Sequence, residues 1–310
     1  MALVFDRDFA PRHGEAVEVA PDVRRVTAPN AGPYTFGGTN TFLIGEGDLV
    51  VLDPGPDQPA HIDALLRAIG NAKVAAILVT HSHYDHSQAA PHLKTLTGAT
   101  ILAARRRALT AAIAKTPAID DGNDLGFVPD DFLADGAIVE GPSYRLETVA
   151  TPGHASDHLA FALPDQSLLF SGDHVMGWGT TMIAPPDGEM AEYMDSLARL
   201  LGRPETFYLP AHGGAIPDAH SYVRALISHR KMRERAILDG LNKGDASVAD
   251  LVARIYPRLA EELRQAAALS TLAHLDHLVA RGLVATDGAA GLDSRYRTVA
   301  VAAPPLDASG

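Results

Sequence analysis

One stretch, THSHYDHS from Thr80 to Ser87, constrains this chain more than any other. It places three histidines and an aspartate, His81, His83, Asp85 and His86, within six positions. The preceding KVAAILV reads as a buried strand, a short apolar run with β-branched residues. The polar cluster therefore falls where a strand ends, which is where α/β folds put their chemistry. A single histidine there would read as a helix cap. Four ligand-type side chains spaced HxHxDH read as a metal site instead.

The first 215 residues keep repeating this arrangement. TNTFLIG and DLVVLDPG predict neighbouring strands joined by the turn EGD, and His61–Ile69 predicts a helix with Ile62, Leu65, Leu66 and Ile69 at helical spacing. Strand KVAAILV, a helix over Ala89–Thr97 and strand ATILAA come next. Pro117–Asp135, rich in Asp, Gly and Pro, reads as loop or insertion. Strands near Tyr144–Val149, Leu159–Phe161 and Ser167–Phe170, a helix over Met190–Leu201 and strand TFYLP complete the pattern. The strands end in LDPG, VTHSHYDH, VATPGH, FSGDH and YLPAHGG, which predicts one shared active-site edge. His154, Asp173 and His212 would join the first cluster there. Seven ligands suit two metals bridged by a carboxylate and a water.

Composition narrows the chemistry. The 310 residues include no cysteine, which excludes disulfides, thiolate ligands and a cysteine nucleophile. Imidazole and carboxylate ligands suit two zinc ions, and iron or manganese can use the same donors. No apolar segment approaches the ~20 residues that cross a bilayer. The N-terminus has no basic region followed by an apolar run, so a cytoplasmic protein that does not engage membrane is expected. Net charge is −12, yet from Ser228 onward 11 Lys+Arg stand against 10 Asp+Glu. The acidity belongs to the part before Ser228 and gives no long-range attraction for polyanions.

HSHYDH, with LDPG before it and TPGH, SGDH and PAHG after it, resembles the metallo-β-lactamase superfamily. The resemblance implies an α+β fold: an αβ/βα sandwich of two β-sheets flanked by helices. It implies one metal at His81, His83 and His154, a second at Asp85, His86 and His212, and Asp173 bridging them. It also implies that Asp53 orients a ligand histidine, with a plain turn role in DPG as the alternative. Two divalent cations would bring a bridging water to hydroxide near pH 7 for attack on a carbonyl carbon or a phosphorus. Asp85 is expected to hold that hydroxide and take its proton. His158 is the candidate proton donor to the leaving group, against a packing role, and His174 reads as structural. Val175–Met190 reads as a loop over the metals, with Trp178, Thr180 and Thr181 as candidate substrate contacts.

Residues 228–310 read differently from 1–227. SHRKMRERAILDGL predicts a connector helix. Ser247 can cap a helix carrying Val248, Leu251 and Ile255, another is expected over Arg258–Ala267, and Ser270 can cap a third ending at Gly282. LVATD and SRYRTVAV predict a β-hairpin, and AAPPLDASG a frayed end. Three helices and a hairpin make a winged helix-turn-helix pattern. With GGTNTFLIGEGDLVVLDPG, TPGHASDH and GDHVMGWGTT, this tail resembles the β-lactamase-like protein 2 group, whose animal mitochondrial member is an endoribonuclease on single-stranded RNA. Arg230, Lys231, Arg233 and Arg235 are the candidate phosphate contacts, against a solvated helix face. The last tail helix is expected to expose His274, Asp276, His277 and Arg281, too few cations for a sequence-specific DNA reader. The expectation leans to a hydrolase of RNA phosphodiesters, with a small ester, thioester, lactone or β-lactam as the alternative. A homodimer is left open.

Overall fold

The computed structural model describes residues 3–107 and 122–299. The part of Pro117–Asp135 before residue 122 and the AAPPLDASG end lie outside the described residues. The chain divides into two compact units, Met1–Ile227 and Ser228–Gly310.

The first unit is built on two sheets. Strands β1 (Ala16–Ala20), β2 (Val23–Thr27), β3 (Asn40–Ile44), β4 (Asp48–Leu52), β5 (Lys73–Leu78), β6 (Thr100–Ala103) and β7 (Asp131–Phe132) form one sheet in that order. Its first four strands pair antiparallel and β4 to β7 run parallel. Helices α1 (Pro59–Ile69), α2 (Tyr84–Ser87) and α3 (Ala90–Thr97) fall in its crossovers. The second sheet has the order β12 (Phe207–Pro210), β11 (Leu168–Gly172), β10 (Leu159–Leu163), β9 (Tyr144–Ala150) and β8 (Ile138–Gly141), with α4 (Met190–Leu201) between β11 and β12. Only β11 and β12 pair parallel in it.

Strand alternation decides where the core sits, because successive side chains point to opposite faces. Phe42, Ile44, Val50, Leu52 and Leu78 of the first sheet pack with Leu146, Phe161, Phe170 and Leu209 of the second. The Phe42 and Phe170 rings meet at 5.0 Å. Leu43, Leu49, Val51 and Ile77 face the other way and pack with Leu65 of α1 and Leu93 of α3. Each large side chain buried this way contributes about 1.5–3 kcal/mol. The result is an αβ/βα sandwich. The sequence reading had no counterpart for β1, β2, β7 and β8, which are short or carry charged residues among the apolar ones.

The division between the units falls within α5 (Ala219–Leu241). The second unit continues with β13 (Ala246–Ser247), α6 (Val248–Ile255), α7 (Arg264–Ala280), β14 (Val284–Thr286) and β15 (Arg295–Thr298). Ser247 caps α6 in a reciprocal box with Asp250. The strands form a small sheet in the order β13-β15-β14, and Ile237, Leu251, Leu275, Leu278 and Tyr296 fill a core of their own. This is a winged helix. Two corrections apply to the tail. The helices expected over Arg258–Ala267 and from Ser270 are one helix, α7, preceded by a 3-10 turn at Glu261–Leu263. Ser270 lies inside α7 and caps nothing, because the AAAL before it is strongly helix-forming. His274 is buried rather than exposed, and Asp276 and His277 are half-buried, because Leu272, Leu275 and Leu278 draw that face into the core.

Candidate metal centre

The parallel order of β4 and β5, and of β11 and β12, sends these strands' C-terminal ends to one edge of the first unit. Asp53 follows β4, Thr80–His86 follows β5, His154 lies between β9 and β10, Asp173 follows β11 and His212 follows β12. All seven predicted ligand residues come together there. Ligand atoms of His81, His83 and His154, of His81, His86 and Asp173, and of Asp85, His86 and His212 form three groups, each within 4.8 Å. His83 Nδ1 lies 2.9 Å from His81 Nε2 and 3.2 Å from His154 Nε2. Nitrogens around one tetrahedral zinc are about 3.3 Å apart, given bonds of about 2.0–2.1 Å.

Each ring is aimed from behind. Asp53, at φ +50, turns its carboxylate back into the fold. There it accepts hydrogen bonds from Thr80 N at 2.7 Å and Thr80 Oγ1 at 2.9 Å, and it lies 2.9 Å from His86 Nδ1. That contact leaves His86 Nε2 facing the cluster. Met182 O does the same for His154 at 2.7 Å, and Gly38 O lies 3.4 Å from His212 Nδ1. Thr39 donates its hydroxyl to Asp85 Oδ2 at 2.9 Å, and Asn40 donates to the carbonyls of Pro210 and Gly213 that flank His212. Sequence reasoning missed Thr39, Thr80 and Met182. The polar pair Thr39-Asn40 at the head of an otherwise apolar strand was the available signal for the first.

The electrostatics ask for a cation. Burial, then the neighbouring His86, pushes His81 well below the usual histidine range, and burial with His154 brings His83 down to about 3. Both are therefore neutral lone-pair donors. Burial opposes charge on His86 and His212 too, but Asp85, Asp53 and Asp173 hold His86 well above its usual range, and Asp173 pushes His212 up to about 10. His212 Nε2 lies 3.2 Å from Asp173 Oδ1 and 3.3 Å from Asp85 Oδ2. His86 Nε2 and Asp173 Oδ1 are buried and make no hydrogen bond. Unsatisfied buried groups of this kind are costly unless a ligand answers them. The donor set fits divalent metal.

The remaining candidate residues lie around this cluster and in the second unit. His158 is 1% exposed, its Nδ1 lies 2.8 Å from Thr151 Oγ1 and its Nε2 accepts from the Asp173 N–H at 3.1 Å. Both nitrogens are engaged, and burial holds the ring well below its usual range. With Nε2 accepting, the proton of the neutral ring sits on Nδ1 beside Thr151 Oγ1, and the ring braces the Asp173 backbone. Gly172 is required beside it, since a Cβ there would come within 2.5 Å of His158 Nε2. His174 is buried against the Tyr193 ring at 4.6 Å. Thr181 is buried with its hydroxyl donated to Asp173 O at 2.7 Å, so it braces the site. Thr180 and Trp178 are half-buried, and Trp178 stacks on Phe36 at 5.0 Å. In the second unit, Arg230 is buried and Arg233 lies 4.6 Å over the Tyr256 ring. Lys231 and Arg235 are exposed. Positions 230 and 233 share the inward face of α5 and 231 and 235 the outer one, so the expected basic run reduces to two exposed cations.

The family profile described as the metallo-beta-lactamase superfamily matches residues 34–212, and that of the beta-lactamase associated winged helix domain matches 247–292. A Caenorhabditis elegans protein named beta-lactamase-like protein 2 homolog is 30% identical over 79% of this chain and 80% of its own. An atrochrysone carboxyl ACP thioesterase of Aspergillus chevalieri is 26% identical over 85% of this chain and 84% of its own. A beta-lactamase domain protein from Burkholderia ambifaria shares the fold at TM-score 0.79, with 24% identity, covering 94% of this chain and 96% of that one.

Proposed function

Because the chain belongs to the metallo-beta-lactamase superfamily, a family of metal-dependent hydrolases, we propose that it hydrolyses an acyl thioester, with two zinc ions held at the strand-end site. The observation that carries the hydrolase reading is the buried donor set with His86 Nε2 and Asp173 Oδ1 left without hydrogen bonds. The thioesterase names of the fungal relatives support the substrate class. His81, His83 and His154 would hold one ion, Asp85, His86 and His212 the other, and Asp173 both. Such ions supply Lewis acidity toward the substrate carbonyl and make water acidic near neutral pH.

The chain supplies the rest. Asp53 and Met182 O fix the His86 and His154 rings so that Nε2 of each faces the cluster. Thr39 ties down one oxygen of Asp85 and leaves the other to take the proton of the attacking water. Water adds to the acyl carbon, the C–S bond breaks, and the thiolate leaves with the proton that Asp85 took, so the carboxylate is restored. Cleavage of single-stranded RNA is the second reading, supported by the sequence resemblance to the β-lactamase-like protein 2 group, whose Caenorhabditis elegans homolog matches 79% of this chain. The packing of Arg230 and Arg233 weakens it.

The test gives metal-replete wild type and Asp85→Ala an acyl thioester, a lactone, a β-lactam and a single-stranded RNA. Thioester cleavage by wild type, lost in the variant with RNA intact, is expected. RNA cleavage lost in the variant, with the thioester untouched, would replace this reading with the second.

A further inference from the structure

Behind the ligand-bearing turns lies a cavity of about 210 Å³ that the chemistry above does not use. Ser82, between His81 and His83, and Asp157, three residues after His154, form one wall; Arg105, Arg106, Phe127 and Phe132 form others. Ser82 donates to Asp157 Oδ2 at 2.5 Å. Asp157 is only 4% exposed, and its Oδ1 has no hydrogen-bond partner among the described residues. Arg106 is committed on both terminal nitrogens, to Asn123 and to Asp124 O, while its buried Nε has no partner among the described residues. Arg105 differs. It is exposed, lies 3.9 Å over the Phe132 ring and makes no ion pair among the described residues, whereas Arg107 pairs with Glu192 and Glu189. The rim is apolar: Val128 is 75% exposed and Phe132 41%.

We propose that this cavity is a recognition pocket for a flat apolar group bearing an anion, a carboxylate or a phosphate. The ring packs on Phe127 and Phe132, and the anion pairs with the exposed guanidinium of Arg105. Burial pushes the Asp157 carboxyl up, the direction that lessens its repulsion of the anion. Beside the site assigned above, such a pocket would select among acyl groups, and to that extent the inference rests on the hydrolase reading. The pocket itself does not need turnover.

The experiment measures binding of benzoate and of phenyl phosphate by calorimetry to wild type, Arg105→Ala, Phe132→Ala and Asp85→Ala. At least one probe binds wild type and Asp85→Ala alike, and its Kd rises about tenfold in Arg105→Ala and in Phe132→Ala, because each removes one half of the recognition. Which probe binds more tightly tells carboxylate from phosphate. Both pocket positions are exposed, so unchanged melting temperatures show that these variants fold. Absence of binding by either probe, binding unchanged in Arg105→Ala, or binding lost only in Asp85→Ala, which would put the anion on the metals, overturns the pocket. Probe binding that persists while no thioester is cleaved leaves the pocket standing and removes the thioesterase reading.

Discussion

Two clusters of histidine and carboxylate, a buried one in the first unit and a half-buried one in the second, have different characters. In the winged helix, Glu234 is met by His277 Nδ1 at 2.7 Å on one oxygen and Arg281 at 3.1 Å on the other, with His274 at 3.9 Å. The carboxylate is answered from within the unit. At the strand-end edge, Asp173 Oδ1 and His86 Nε2 face each other at 3.7 Å without a hydrogen bond, and two more carboxylates, Asp85 and Asp53, bear on the same ring. Residue type alone does not separate the two clusters. The difference is the density of carboxylates: Glu234 stands alone and is met by His277 and Arg281, whereas Asp53, Asp85 and Asp173 crowd on His86 and His212, a set that a divalent cation would answer.

The comparison breaks most directly at its carboxylates. Asp173→Asn keeps the shape and removes the charge, so metal uptake and hydrolysis should fall by more than about 100-fold, beyond the 10–100-fold typical of residues that only brace a ligand. Isothermal titration with zinc and a thioester assay measure both. Asp53→Ala comes next: freeing the His86 ring should weaken metal binding by about 10–100-fold while Asp173 stays in place. His158→Gln separates positioning from proton donation. Loss of a general acid costs about 10²–10⁴-fold in kcat, whereas here the change should stay below about tenfold with the pH profile unmoved. Glu234→Gln should leave hydrolysis per folded molecule unchanged and cost about 1–3 kcal/mol in the denaturation of the winged helix, because His277 and Arg281 lose a buried partner.

Much of this was legible in the sequence, and for a physical reason. A metal ligand must be one of a few residue types at the end of a rigid element, so HxHxDH and the three later strand ends announce themselves. The aiming partners do not. Thr39 lies 46 residues from Asp85, Met182 acts through a backbone carbonyl that any residue has, and the hydrogen bond between Ser82 and Asp157 joins two turns whose nearness only the fold creates. For His158 the sequence left two roles open, proton donor or packing, and the partners of its two nitrogens become visible only in the fold. The basic run changes for a related reason: a sequence lists Arg230, Lys231, Arg233 and Arg235 together, while a helix turns two of them inward. Ser270 misled in the same way, as a capping residue inside a continuous helix.

The central claim is that hydrolysis belongs to the metals of the strand-end site. It is tested most directly by stripping the wild-type protein with a chelator and restoring zinc in steps, following bound metal and thioester cleavage together. Activity that vanishes with the metal and returns in proportion to it, up to two ions per chain, is the predicted result. Chelated, metal-free protein that keeps its full rate would contradict the claim.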